Sequence, residues 1–170
     1  MINLDELVSL HPDLPSEIAA ALATCAAVAL ERRYQPGVRL AAVVRGLPLE
    51  IGLVWRPRRP KDASMLDAKR ATEDGAECIA LALLGHDTSW RLVRRLQSRL
   101  GEGADWLVKD PKTGHCTVLE ISGTDDGPFE RRLRSKVMQA RSAASGRGAA
   151  ACVVRFLEPR AELYTDDGPS

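Results

Sequence analysis

The chain has 170 residues, 45% apolar and 28% charged, with a formal net charge of +1. That is enough length for a proper core and an ordinary globular balance. A charge this close to zero excludes a global field drawing the protein to nucleic acid or a membrane, so any such attraction must be local.

The acidic start, Met1-Ile2-Asn3-Leu4-Asp5-Glu6, lacks the basic and apolar regions of a secretory signal. The longest near-apolar run, Ile18 to Leu30, has 13 residues and is too short to span a bilayer. Cys25, Cys78, Cys116 and Cys152 are widely spaced with no C-x-x-C pair, as expected of reduced cysteines in a cytoplasmic protein.

Taken in order, residues 1–13 read as a short leader. Ser16 caps a helix whose apolar positions Ile18, Leu22, Cys25, Ala26, Ala29 and Leu30 recur at helical spacing until Pro36-Gly37. Two β-rich runs, Val38 to Arg45 and Leu49 to Trp55, form a hairpin around Gly46-Leu47-Pro48. Arg56 to Asp62, with two prolines and four bases, reads as a linker. These segments make an N-terminal unit, residues 1–60, either a small subdomain or an extension packed on the main sheet.

A second helix is expected over 64–85, capped by Ser64 and stopped by Gly85, with Gly75 as an interruption costing about 1 kcal/mol against Ala. Trp90 to Leu96 reads as a strand and Gly101-Glu102-Gly103 as a turn. A strand with Asp105 follows, then a hairpin through Asp110 to Gly114 into the strand with Glu120. A third helix runs from about Pro128 to Ser145, then a strongly apolar strand from Ala150 to Leu157 and an edge strand from Ala161 to Thr165. The unit 61–165 is thus an α/β core of order α-β-β-β-α-β with a mixed central sheet, and residues 166–170 form a flexible tail.

Asp105 and Glu120 are acids among apolar strand residues, and burying such an acid is costly unless it is paired or holds a metal. Lying on neighbouring strands, they could converge on one ion. Alternation places Glu120 and Ser122 on one face, Leu119 and Ile121 on the other. On the third helix Phe129, Leu133, Val137, Ala140 and Ala144 form an apolar stripe, and Lys136 lies about 60° from its centre. On the second helix Glu73 falls nearer the apolar face than Glu77. Residues 128–147 hold six bases against one acid, and 86–100 four arginines against one aspartate, a basic rim suited to a phosphodiester. With three Trp, two Tyr and two Phe, extensive base stacking is not expected. The three histidines lack partners at catalytic spacing, and no phosphate-binding glycine motif occurs.

The order of elements, with Asp105 and Glu120-Ile121-Ser122, resembles the PD-(D/E)XK nuclease superfamily over residues 64–165. That superfamily has a restriction-endonuclease-like αβββαβ core, an Asp on the second strand and Glu-x-Lys on the third. Ala71 to Glu77 with Leu119 to Gly123 also resembles a group of uncharacterised bacterial proteins, a branch with Glu-x-Ser in place of Glu-x-Lys. The resemblance implies Mg²⁺ or Mn²⁺ held by Asp105 and Glu120, with Glu73 as an additional ligand. It also implies catalysis by Asp105, Glu120, Ser122 and a relocated lysine, Lys136, since the Ser122 hydroxyl carries no charge. Arg132, Lys136 and Gln139 would contact DNA or RNA. Two readings remain open: a metal-dependent nuclease, or a catalytically silent module of the same fold. The silent module would bind nucleic acid, or a protein partner through its N-terminal unit, as a component of a defence system. In the plainest reading of the residues, Asp105 caps a turn, Glu120 makes an ion pair, Ser122 prepares a turn, and Glu73 and Lys136 are solvated.

Overall fold

The structure, a computed structural model, describes residues 1–96 and 105–166. Arg99, the expected Gly101 to Gly103 turn and residues 167–170 lie outside the described residues.

Among these residues the fold is mixed α/β, built on one eight-stranded sheet. The strands are β1 (Ile2–Asn3), β2 (Val38–Val44), β3 (Leu47–Val54), β4 (Arg91–Arg95), β5 (Trp106–Lys109), β6 (Cys116–Thr124), β7 (Gly148–Arg155) and β8 (Arg160–Asp166). Their order across the sheet is β1-β3-β2-β8-β7-β6-β5-β4. The helices are α1 (Leu7–Leu10), α2 (Ser16–Glu31), α3 (Pro60–Ser64), α4 (Ala68–Asp87) and α5 (Phe129–Ala144).

From α4 onward, β4, β5 and β6 form an antiparallel meander, and α5 crosses to β7, which runs parallel to β6. Strand β7 is buried through Val154, as its unbroken apolar sequence requires of a central strand covered on both faces. Leu119, Ile121, Ala150 and Cys152 join the core containing α2 and α4. Leu107, Val118 and Ala149 form a second cluster with Ala140 and Ala144 of α5. Alternation along β6 therefore sends Glu120 and Ser122 to the α5 side.

Several local expectations change. Residues 1–13, expected to lie outside the core, are packed into it: β1 pairs in parallel with β3, and Ile2, Leu4 and Leu7 are buried. Ser16 is the first helical residue of α2 rather than its cap, a place taken by Pro15. The expected helix over 64–85 is α4, which begins at Ala68; Ser64 instead ends a separate short helix, α3, formed largely within the expected linker. Asp67 caps α4, its carboxylate accepting from the N–H groups of Lys69 and Arg70, and the helix runs through Gly85 to Asp87. The linker is anchored, since Arg58 donates to Asp5 and its N–H to Glu31. Strand β8 is no edge: it lies between β7 and β2 and joins the N-terminal hairpin to the same sheet.

Gly75 proves to be a packing device. A Cβ there would come within 2.9 Å of the Ala26 Cα, so its bare backbone is what lets α2 and α4 meet. Gly123 does the same on the opposite side of α4, where a side chain would collide with the Thr72 carbonyl.

Candidate functional site

At the β5–β6 end of the sheet, α4 and α5 approach from opposite faces around a pocket of about 420 Å³. Its wall includes Glu77 of α4, Arg95 of β4, Asp105, Ser122 of β6, and Arg132 and Lys136 of α5.

Asp105 immediately precedes β5. Its N–H donates to the carbonyl of Leu119, the residue paired with Trp106. Two residues of one strand thus face one of its neighbour, the arrangement of a β-bulge, which re-aims a side chain. The Asp105 carboxylate turns to accept from the Ile121 N–H at 2.6 Å. Burial pushes this carboxyl above its ordinary range, against the pull of the Ile121 N–H, Lys136 and Arg95.

Glu120 is 4% exposed. Its Oε2 accepts from Lys136 Nζ at 2.7 Å, across from β6 to α5. Burial raises this carboxyl too, with the Lys136 hydrogen bond and charge opposing and Asp105 adding to the rise. Glu120 is not itself on the pocket wall; Lys136, on the wall, links it to the pocket. Ser122 lies within β6 rather than at a turn, and its hydroxyl accepts from Arg132 Nη1 at 3.1 Å.

Of the two other expected contributors, one lies off the wall and one at its rim. Gln139 is exposed and absent from the pocket wall. Glu73 reaches the rim, but its side chain is 59% exposed and lies 3.9 Å from Lys69. The buried acid of α4 is Glu77, which accepts from the Trp106 indole N–H and from Arg95 Nη2, both at 2.8 Å. Placing Glu73 nearer the apolar face assumed that α4 buries one stripe. The helix is wedged between α2 and the sheet, so its buried arc is broader and takes in Glu77. Burial raises the Glu77 carboxyl, opposed by Arg95 and the Trp106 bond.

The site therefore brings Asp105, Ser122, Arg132 and Lys136 to one wall with Glu120 behind Lys136, keeps Glu73 at its rim, and adds Glu77, which the sequence reading did not single out. Among the described residues no three acids, histidines or cysteines form a cage that could hold a metal alone. The donor set that remains, two carboxylates with open positions for water and phosphate oxygens, is one that Mg²⁺ or Mn²⁺ uses. A divalent cation would favour the ionised form of carboxyls that burial disfavours. No cysteine is among the residues of this pocket wall, and burial pushes the Cys152 thiol up to about 12 and raises those of Cys25 and Cys78. No helix among the described residues is long and apolar enough to cross a membrane.

Compared with known proteins, the sequence matches no family model and shows no significant similarity to a curated protein or a solved structure.

Proposed function

We propose that this chain is a cytoplasmic, divalent-metal-dependent nuclease with a restriction-endonuclease-like core, hydrolysing phosphodiester bonds of DNA or RNA. The run α4, β4, β5, β6, α5, β7 supplies the αβββαβ order of that core. The observation that carries the reading is the 2.7 Å contact of Lys136 with Glu120 beside Asp105. It brings an ammonium to the glutamate of the motif, although at the lysine position β6 itself offers only Ser122, which meets Arg132.

Asp105 and Glu120 would hold Mg²⁺ or Mn²⁺, which when bound supplies charge neutralisation at the phosphate and a more acidic water. The bulge at Asp105 fixes that carboxylate through the Ile121 N–H. Lys136, 24% exposed, can exchange its contact with Glu120 for a phosphate oxygen or a water. Arg132, held by Ser122, adds a second cation on the same wall. Glu77, already satisfied by Trp106 and Arg95, acts as a brace for β4 and β5.

The test is cleavage of labelled DNA and RNA strands with Mg²⁺ or Mn²⁺, against EDTA. Glu120→Gln and Lys136→Met are each expected to lower the rate by roughly a hundredfold or more, the scale of a lost charge-stabilising or proton-handling group. Cleavage that survives both substitutions would remove these residues from the chemistry.

One observation favours the second reading, a silent nuclease-fold module binding nucleic acid or a protein partner. Glu120 is drawn to Lys136 and away from the pocket wall, an arrangement that neutralises the site without a metal. Strand binding by the wild-type protein with no turnover in either metal would decide for it.

A further inference from the structure

A second pocket, of about 350 Å³, adjoins the first and shares with it Glu73, Gly123 and Arg132. It lies between the end of α2, the start of α4 and the connection from β6 to α5. Two arginines face it from distant parts of the chain. Arg32 follows α2 and is fixed by neutral acceptors of α4, donating through Nη1 to the Thr72 hydroxyl at 3.2 Å and through Nη2 to the Ala68 carbonyl at 3.0 Å. Arg132 donates to the Ser122 hydroxyl, and its buried Nε has no hydrogen-bond partner among the described residues.

Most arginines of this protein with a described polar contact meet a carboxylate, as Arg33 does at Asp125 and Arg160 at Glu130. Neither Arg32 nor Arg132 takes part in an ion pair among the described residues. The acids on this wall are matched by other bases, Asp125 by Arg33 and Glu73 by Lys69. The pocket thus keeps two positioned guanidiniums outside any ion pair, with Thr124 on the same wall. Planar guanidinium forks of this kind suit the oxygens of a phosphate.

We propose that this pocket binds a backbone phosphate of a polynucleotide strand, next to the phosphate taken at the Asp105–Lys136 pocket. Its placement next to a reacting phosphate rests on the nuclease reading; its affinity for phosphate does not. The N-terminal unit then has a part in substrate binding, because Arg32 is one wall of the site.

The experiment measures binding of an internally labelled eight-nucleotide strand without terminal phosphates, by fluorescence anisotropy in EDTA. Arg32→Gln and Arg132→Gln are each expected to weaken binding roughly tenfold. Each should reduce the slope of log affinity against log salt by about 0.7, the value of one phosphate contact on a single strand. Arg32→Lys, which keeps the charge, should retain more affinity than Arg32→Gln. Arg39→Gln, on the exposed hairpin, should leave binding unchanged. Inorganic phosphate should compete with the strand on the wild-type protein and raise its melting temperature. Binding by a folded Arg32→Gln protein within twofold of wild type, with the same salt slope, would overturn the proposal. Should Arg32→Gln not fold, absence of any phosphate effect on the wild-type protein would overturn it equally. Cleavage plays no part in this readout: wild-type turnover with unchanged binding in Arg32→Gln removes the pocket alone. Lost binding in Arg32→Gln without wild-type turnover removes the nuclease alone.

Discussion

At the scale of single residues, Asp105 is the acid held by backbone rather than by a cation. Its carboxylate accepts from the Ile121 N–H, and none of the ion pairs among the described residues includes it. Burial raises its pKa, and the sign of the consequence follows from linkage. Between the unfolded value near 4 and the higher folded value, the folded protein binds more protons than the unfolded one. Stability therefore falls as pH rises through that window and stays lower above it. Asp105→Asn keeps an acceptor for Ile121 and removes the charge. It should raise the melting temperature at pH 7.5, with the gain shrinking as the pH approaches 4.5. Thermal melts across that range check this, and a lower melting temperature at pH 7.5 would sink it. Asp105 and Glu120 stood out because an acid among apolar strand residues needs a partner, and each has one, the Ile121 N–H and Lys136. Glu77 and Arg32 were not, because what distinguishes them is a partner far along the chain. Glu77 needs Trp106 and Arg95 to be buried safely, and Arg32 is positioned by Ala68 and Thr72.

At the scale of elements, α4 shows where propensity and packing disagree. Helix propensity alone gives Gly75→Ala a stabilisation of about 1 kcal/mol. The added Cβ would instead press on the backbone of Ala26 at 2.9 Å and Cys25 at 3.1 Å, and a backbone cannot rotate away as a side chain can. Overpacking of this kind typically costs about 1–3 kcal/mol. The expected net result is a melting temperature lowered by several degrees, roughly 2–4 °C per kcal/mol for a chain of this size. Urea or thermal unfolding of the variant reads the sign directly, and a more stable Gly75→Ala protein would show that α2 and α4 are not in this register. The same double-sided burial explains how the helix was read. Its existence was clear from apolar spacing and its start is a local cap at Asp67, but the face carrying Glu77 depends on α2 and β6 together. The antiparallel pairing of β5 with β6 was equally legible, because Asp110 to Gly114 carries turn chemistry. Strand β8 was read as an edge because its neighbour β2 lies more than a hundred residues earlier, and parallel pairing leaves no local turn signal.

At the scale of the whole molecule, one sheet runs from β1 to β4, so the N-terminal segments cannot be judged by their position in the sequence. Ile2, Leu4 and Leu7 are at most 2% exposed. His11 donates through Nε2 to the Leu81 carbonyl of α4 at 2.7 Å, and burial lowers its pKa, which keeps the ring neutral. Asp5 accepts from Arg58 in a pair whose side chains are only 14% and 16% exposed, tying the first residues to the segment that leads into α3. Removing residues 1–13 would strip these contacts and uncover the faces of α2 and α4 that the three apolar side chains cover. At roughly 1.5–3 kcal/mol per buried side chain, the three alone contribute about as much as the total stability of many domains. It would also leave Arg58 half of a broken pair. A chain starting at Leu14 is therefore expected to lose its cooperative unfolding transition, and with it strand binding at the Arg32 pocket, although Arg32 itself remains. Circular dichroism melts and the anisotropy assay measure the two losses on one preparation. A truncated protein melting cooperatively within a few degrees of the full chain would show that the first thirteen residues are dispensable. Loss of strand binding alone, with the melt intact, would instead place a binding contact within residues 1–13.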